Sequence, residues 1–255
     1  MGIAWHKVPA ALDWPKEMFP TLPHLFMVAQ GHVTSLVNNT LVTMTSAMIG
    51  FLISIFLAII LAIIMNISFI IRGLLTPLII ISQITPKIAL IPLISLAIKS
   101  IWDGEIEDID AYTKIIIAML ISFLPMFSAL YVGLSNIDNE KIKLFRSMGA
   151  SKWQIMRNLQ VKLAIPNFLS SLRVGFIFSV IGAITVEFIG SGKGLGYLIL
   201  LCASNIEYDL LYLAVIVCIL IGFIGYLILF FVEWLVLTLF LKRQLKISKY
   251  YFQKS

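Results

Sequence analysis

The longest stretch without a charged residue or histidine, from Val33 to Ile71, limits what this chain can fold into more than any other feature. A helix of about 20 apolar residues is enough to cross the hydrocarbon core of a bilayer. Of the whole chain, 60% is hydrophobic and 13% is charged, whereas about 25% of an ordinary soluble domain is charged. Too few polar side chains are present to cover a water-facing surface. The sequence therefore predicts an all-α polytopic membrane protein.

Five apolar segments are long enough to be transmembrane helices: 41–65, 73–98, 115–135, 168–189 and 210–240. The second segment contains Pro77, Pro86 and Pro92 together with Lys87. Because proline lacks an amide donor and clashes with the preceding turn, this segment cannot be one regular helix. A broken crossing survives in lipid only where protein or a water-filled cavity satisfies the freed carbonyls. The sequence predicts five spans, the second of them broken.

The charged loops predict the orientation. The basic segment, defined as residues 136–165, and the tail 242–255 are rich in lysine and arginine, which mark the cytoplasmic side. The net charge of +6 is therefore interpreted as a topology signal, and no nucleic-acid partner is expected. The acidic stretch 103–110 is expected outside. We expect an extracytoplasmic N-terminal segment over 1–40, a transmembrane domain over 41–241 and a basic cytoplasmic tail, in the plasma membrane.

The basic segment is predicted to contain two short helices. Asp138 can cap the first helix, and Gly149 ends it. Ser151 and Gln154 form a capping box for the second helix. Four apolar residues are expected to share one face of this second helix: Trp153, Met156, Leu159 and Leu163. The pattern alone also fits an amphipathic helix on the inner membrane surface, so both interpretations stand at this point.

Three blocks of sequence occur in the order and spacing of one family. They are TPKIALIPL at 85–93, the stretch from Arg146 to Trp153, and GAITVEFIGSGKGLGYLI at 182–199. On these residues the chain resembles the permeases of binding-protein-dependent ATP-binding cassette (ABC) importers. The similar branch is that of nitrate, sulfonates, taurine and thiamine precursors. The chain departs from the family pattern at 143–145, where Glu-Ala-Ala is usual.

The resemblance implies that the basic segment is the cytoplasmic coupling segment, whose short helices dock on a separate ABC ATPase subunit. The residues implied are Lys143, Arg146, Gly149, Ala150, Ser151 and Trp153. Further partners are an extracytoplasmic substrate-binding protein, membrane lipid and a second permease, either a copy or a sister chain. No cofactor is expected. The family usually has one more apolar helix at its start, so we expect either a lost helix or a start codon placed too late.

Two ionisable residues in apolar surroundings, Lys87 and Glu187, are predicted to lie in the substrate pathway. If Lys87 faces the pathway, it favours an anionic solute. The alternatives are a lysine that reaches the headgroups and a carboxylate at the membrane interface. The glycine loop, defined as residues 190–196, lacks the residues of a phosphate loop, because Glu187 and Gly194 stand where glycine and Ser/Thr are needed. We expect a flexible re-entrant loop that binds no ATP.

Two other functions remain open from the residues. A membrane-embedded enzyme, such as a lipid-head-group transferase, predicts Asp or His clustered at one membrane face, and 103–110 is the one acidic cluster. A stand-alone secondary transporter predicts two inverted halves with paired broken helices, and one broken span is evident. The histidines precede Val33 and no HExxH or CxxC motif is present, so no metal is expected. The sequence predicts a permease subunit that is not itself an enzyme.

Overall fold

The computed structural model describes residue 20 and residues 22–102 and 105–252. Helices make up this part of the chain, and no strand occurs within it, which confirms the all-α fold. In chain order they are α1 (Leu22–Ile67), α2 (Phe69–Ile84), α3 (Lys87–Ile101), α4 (Ile106–Ser135), α5 (Asn139–Ser147), α6 (Lys152–Ile155), a π-helical turn (Met156–Gln160), α7 (Val161–Gly190), α8 (Leu195–Asn205) and α9 (Tyr208–Phe252). The predictions about residues 1–19, Asp103 and the side chains of the tail lie outside the described residues.

Four helical segments are long and apolar enough to cross a membrane: Pro23–Ile67, Ile106–Ser135, Lys152–Gly190 and Tyr208–Leu239. The fifth crossing is the pair α2–α3, which is bent by 103°. The bend lies at Thr85 and Pro86, both in extended conformation, as expected for a proline and the residue before it. Pro77 and Pro92 lie inside α2 and α3 without ending them. The prediction of a broken second span is confirmed.

The helices extend beyond the predicted spans at their polar ends. The first begins at Leu22, so the predicted boundary at residue 40 falls within it, after a kink at His32 (φ −118°, ψ 15°). The fourth begins at Lys152, because α6, the π-helical turn and α7 form one continuous span. Hydropathy marks only the part of a helix that lies in lipid. Polar turns that continue the same helix into water are therefore missed.

Small residues bring the three central helices together. A Cβ added to Gly50 of α1 would lie 2.8 Å from the Cβ of Ala118 in α4. A Cβ added to Gly182 of α7 would lie 2.8 Å from the Cα of Ala118. Close backbone approach through glycine and alanine is the usual means of helix association in lipid, where no hydrophobic driving force exists between helices. The three helices are therefore in close contact around Ala118.

Contacts along the three helices define their directions. At one end, the amide of Asn66 donates to Gln160 Oε1 at 2.8 Å. At the other end, Thr43 hydrogen-bonds Glu187. Between these ends, Ser122 Oγ donates to Ser54 Oγ at 2.9 Å. Lys114 of α4 lies beside Glu187 at the Thr43 end, and Ser122 lies further along α4 toward the Asn66 end. Hence α1 and α4 run in the same direction and α7 runs against them. The chain between α1 and α4 must therefore cross the membrane, and the bent pair α2–α3 is that crossing.

The last helix, α9, lies at the edge of the bundle and forms an ion pair with α7. Arg173 Nε lies 2.9 Å from Glu233 Oε2, and its Nη1 donates to the hydroxyl of Tyr226 at 3.1 Å. The guanidinium also lies over the ring of Phe230, 5.5 Å from its centre. Glu233 of α9 is thus paired with a basic residue of α7. Charged groups at membrane depth are almost always paired in this way.

We expect Gly182→Ala to destabilise the protein, because the new methyl group would meet the backbone of Ala118, which cannot move aside. Overpacking of this kind costs about 1–3 kcal/mol. The measurement is the midpoint of thermal unfolding in detergent. Gly222→Ala in α9 is the matched control, since its Cβ would have nothing within 4 Å. Equal midpoints for the two variants would contradict this account of the packing.

Candidate functional site

A buried carboxylate joins the outer ends of the central helices, where "outer" refers to the predicted sidedness. Glu187 is fully buried near the end of α7. The hydroxyl of Thr43 donates to its carboxylate, 2.9 Å from each oxygen. The backbone N–H of Gly196 donates to Oε2 at 2.9 Å. Both oxygens are satisfied, which a buried carboxylate requires.

A buried lysine completes this cluster. Lys114 of α4 has its side chain 3% exposed, and its Nζ lies 3.8 Å from Glu187 Oε1. The same ammonium donates to the backbone carbonyl of Lys193 at 2.8 Å. Removing one member of a buried pair leaves the other charge uncompensated, which costs about 3–5 kcal/mol. The two residues therefore depend on each other.

The cluster also fixes the glycine loop. Gly194 N donates to Asn39 Oδ1 at 2.8 Å, and Leu195 N donates to Thr43 Oγ1 at 2.9 Å. Gly194 has φ +120°, a conformation that favours glycine. A Cβ at this position would also collide with the carboxylate of Glu187. The loop is thus tied by hydrogen bonds to α1, α4 and α7.

From this loop, α8 leads to the start of α9. It has 11 residues, a length of about 16 Å, which is too short to cross a bilayer. At its far end, Ile206 adopts a left-handed conformation with φ 63°. There the side chains of His24 and Asp209 meet at 3.1 Å. The first and last spans are therefore joined on the side where the Glu187 cluster lies.

A cavity of about 590 Å³ opens beside the cluster, between the start of α4 and the glycine loop. Lys193 Nζ and Glu107 Oε2 form an exposed ion pair at its edge, 2.7 Å apart. Asp110 and the buried Lys114 also line it. The cavity brings charges of both signs to the surface at the predicted outer end.

The basic segment has the predicted caps. The side chain of Asp138 accepts from Glu140 N at 3.0 Å at the start of α5. Gly149 follows the helix with φ +77°, which favours glycine. Ser151 and Gln154 form the predicted capping box, with hydrogen bonds of 3.3 and 2.8 Å. These caps fix the sharp turn between α5 and α6.

The prediction of one apolar face on the second helix was wrong. Met156 is buried, whereas Trp153 is 58% exposed and Leu163 is 45% exposed. The cause is the π-helical turn over Met156–Gln160, which has more residues per turn than an α-helix and so shifts the register of the side chains. Trp153 and Met156 still line one cavity, whereas Leu159 and Leu163 fall out of the register that Trp153 sets.

The residues predicted for coupling form one exposed surface. Lys143, Arg146, Gly149, Ser151 and Trp153 are exposed and Ala150 is partly buried. Beside them, Leu144 is 59% and Met148 is 69% exposed. A cavity of about 410 Å³ separates this surface from the inner end of α1, and Arg146, Lys152 and Trp153 line it. Exposed apolar side chains surrounded by cations are typical of a docking surface.

The two predicted pathway residues are in different surroundings. Lys87 begins α3 at the bend of the broken span and is partly exposed, with Nζ donating to Gln83 O at 3.3 Å. Glu187 lies in the interior. Sequence reasoning missed Thr43 and Lys114, the partners of Glu187. Each is a polar residue at the edge of an apolar segment, which was the available signal. Their contact with Glu187 could not be predicted, because both are far from it along the chain.

Comparison with known proteins identifies relatives of this chain. Residues 32–237 match the family model described as "Binding-protein-dependent transport system inner membrane component". A probable ABC transporter permease protein of Haemophilus influenzae is 28% identical over 231 residues, which cover 91% of this chain and 89% of that protein. A crystal structure of an amino acid ABC transporter with histidines has the same fold, with a TM-score of 0.67. It is 17% identical, and the match covers 82% of this chain and 97% of that chain.

Two further relatives have named solutes. The formylaminopyrimidine transport permease protein ThiX of Halalkalibacterium halodurans is 36% identical over 121 residues, 48% of this chain and 45% of that protein. The taurine transport system permease protein TauC of Escherichia coli is 26% identical over 159 residues, 62% of this chain and 54% of that protein. This chain therefore matches about half the length of each.

We expect Glu187→Ala to free the glycine loop, because the N–H of Gly196 would lose its acceptor and the hydroxyl of Thr43 would keep only its hydrogen bond to Asn39 O. Loss of a buried hydrogen bond costs about 1–3 kcal/mol. Hydrogen–deuterium exchange of the peptide spanning 190–200 should become about tenfold faster or more. Glu107→Gln is the control, since it breaks only the exposed pair with Lys193. Unchanged exchange in Glu187→Ala would show that the carboxylate does not hold the loop.

Proposed function

The chain belongs to the family of binding-protein-dependent transport system inner membrane components, and we propose that it imports a small solute by coupling to a separate ATPase through its basic segment. It is the membrane-spanning permease subunit of an ABC importer, in the branch that includes taurine and thiamine-precursor permeases, and its place is the cell membrane. Its relatives are transport subunits. Hydrolysis of ATP is assigned in this proposal to the partner chain.

The exposed surface of the basic segment is the observation that carries the coupling proposal. Met148 and Trp153 present apolar side chains outside the bundle, next to Lys143 and Arg146. A short rigid helix with an apolar anchor can enter a groove of a partner. The surrounding cations favour acidic residues on that partner and reject a basic surface. This combination supports docking on an ATPase subunit.

Two further partners belong to the proposal. An extracytoplasmic substrate-binding protein would meet the opposite end, where the charged cavity beside Glu107 and Lys193 opens. A second permease, either a copy or a sister chain, would complete the pathway. The unpartnered apolar surface of α2 supports this, because α2 contributes no buried residue to the described part of the chain.

The solute is proposed to be a small polar molecule of the kinds handled by the relatives. ThiX transports a formylaminopyrimidine and TauC transports taurine, according to their names. A sulfonate, nitrate or a vitamin precursor therefore fits this branch. The membrane-embedded enzyme and the stand-alone secondary transporter are not favoured, because the matched relatives are ABC permeases.

We expect Gly149→Asp to insert into the membrane and to lose its ATPase partner. A residue with a side chain is strained at φ +77°, at a cost of about 1–2 kcal/mol, and the new carboxylate would oppose acidic groups on the partner. The tagged chain is extracted gently from native membranes, and co-purified proteins are quantified by mass spectrometry. The wild-type chain should retain an ABC ATPase in near-equal amount, and the variant should retain several-fold less.

The matched control is Gly31→Asp, which makes the same exchange at an exposed position in the outer part of α1, where an added Cβ has nothing within 4 Å. It should retain the ATPase, since this position lies at the opposite end of the bundle from the basic segment. A wild-type preparation that contains no ATPase would overturn the docking proposal. Normal transport by Gly149→Asp would count against the role of this turn.

A further inference from the structure

The bend of the broken span carries polar side chains between two apolar arms. Gln83, Thr85 and Lys87 surround the break at Pro86. The arms themselves are apolar and largely exposed, as Leu78 (59%) and Leu93 (61%) illustrate. A polar group inside a lipid-exposed span is costly unless protein or water satisfies it. The depth of this bend in the membrane therefore decides whether its polar side chains need protein or water around them.

Aromatic contacts fix the two ends of the broken span on α4. At the inner end, the guanidinium of Arg72 lies over the ring of Tyr131, 5.9 Å from its centre. At the outer end, the rings of Trp102 and Tyr112 are 5.0 Å apart. Tyr112 and Tyr131 lie about 28 Å apart along α4 at 1.5 Å per residue. This distance is close to the bilayer core thickness of about 30 Å.

The lengths of the arms place the bend midway between these ends. Helix α2 has 16 residues and α3 has 15. At 1.5 Å per residue the arms are about 24 and about 22 Å long, and a bend of 103° puts their far ends about 29 Å apart. This agrees with the spacing of the two tyrosines. Because the arms are nearly equal, the bend lies near the middle of the membrane.

Lys87 therefore brings a cation to mid-depth without a counter-charge. Its ammonium donates to the backbone carbonyl of Gln83. Within the described part of the chain, none of the four ion pairs involves it. Two cations deep in other spans, Lys114 and Arg173, each have a carboxylate within 4.0 Å. An ionisable residue at this depth almost always faces a bundle interior or a water-filled cavity.

We propose that the bend faces a water-filled section of the transport pathway and that Lys87 makes this section selective for small anionic solutes. The proposal rests on the proposed function, since a second permease is needed to enclose the water. The ammonium attracts an anion and repels a cation at a narrow point of the pathway. The polar side chains of Gln83 and Thr85 line the same bend. The hydroxyl of Thr85 donates to Ile81 O, and the amide of Gln83 can donate to a sulfonate, a carboxylate or a nitrate.

Charged thiol reagents test both parts of this proposal without knowledge of the natural solute. Thr85→Cys is introduced after Cys202 and Cys218 have been replaced by alanine. Membrane vesicles that contain the assembled transporter are opened by freeze–thaw, so that reagent reaches both faces. The probes are two methanethiosulfonates of similar size: the anionic ethylsulfonate and the cationic ethyltrimethylammonium reagent. Ile219→Cys, on an exposed apolar face of α9, is the lipid-facing control.

We expect both reagents to modify Thr85→Cys and neither to modify Ile219→Cys at a comparable rate. The anionic reagent should react at least about fivefold faster than the cationic reagent, relative to their rates with a free thiol, as a charge a few ångströms away in water predicts. Adding Lys87→Met should abolish this preference, and Lys87→Arg should keep it.

Two results would overturn the proposal. If neither reagent modifies Thr85→Cys, the bend is not exposed to water. If Thr85→Cys shows no preference for the anionic reagent, or keeps that preference after Lys87→Met, then Lys87 does not confer anion selectivity. Co-purification of the ATPase is measured on the same membranes. If Thr85→Cys is protected while the ATPase co-purifies, this inference alone is overturned. If Thr85→Cys is modified but no ATPase co-purifies, this inference stands and the result counts against the docking proposal.

Discussion

The absence of water in the bilayer core is the constraint on which this structure depends, and the buried carboxylate of Glu187 shows how it is met. Each polar group there must find a partner inside the protein, or the group is expensive to bury. Thr43 comes from α1, Lys114 from α4 and the N–H of Gly196 from the start of α8. One carboxylate thus determines how three spans and a loop are arranged at one end.

At the opposite end of the bundle, the helices are held together by weaker contacts. Asn66 and Gln160 join α1 to the π-helical turn through one hydrogen bond, and small residues around Ala118 hold the middle. The first part of the basic segment lies outside the bundle and exposes Met148 and Trp153. A well-anchored outer end and an exposed inner segment agree with a permease that receives its driving motion from a partner.

The sequence predicted most of the fold and those parts of the local geometry that depend on neighbouring residues. Apolar length predicted the spans, because burial in lipid is a property of each segment by itself. Helix caps such as Asp138 and Ser151 were predictable for the same reason, since their hydrogen bonds reach only two or three residues along the chain. That the second span is broken followed from the covalent chemistry of proline, although Pro77 and Pro92 lie inside intact helices.

What the sequence did not predict depends on contacts between distant residues. Thr43 is 144 residues from Glu187, and no local pattern pairs them. The π-helical turn at Met156–Gln160 was also missed, so the expected apolar face after Trp153 was wrong. A π-helical turn adds one residue per turn, and a periodicity of 3.6 cannot anticipate it.

The continuous span from Lys152 to Gly190 gives this bundle a mechanical linkage. Its 39 residues form a rod of about 58 Å at 1.5 Å per residue. One end carries Trp153 on the exposed basic segment, and the other carries Glu187 among its hydrogen-bond partners. A tilt of about 5° around one end of such a rod displaces the other end by about 5 Å. That displacement exceeds the length of every hydrogen bond around Glu187. A small rotation at the inner surface is thus geometrically sufficient to separate the carboxylate from Thr43 of α1.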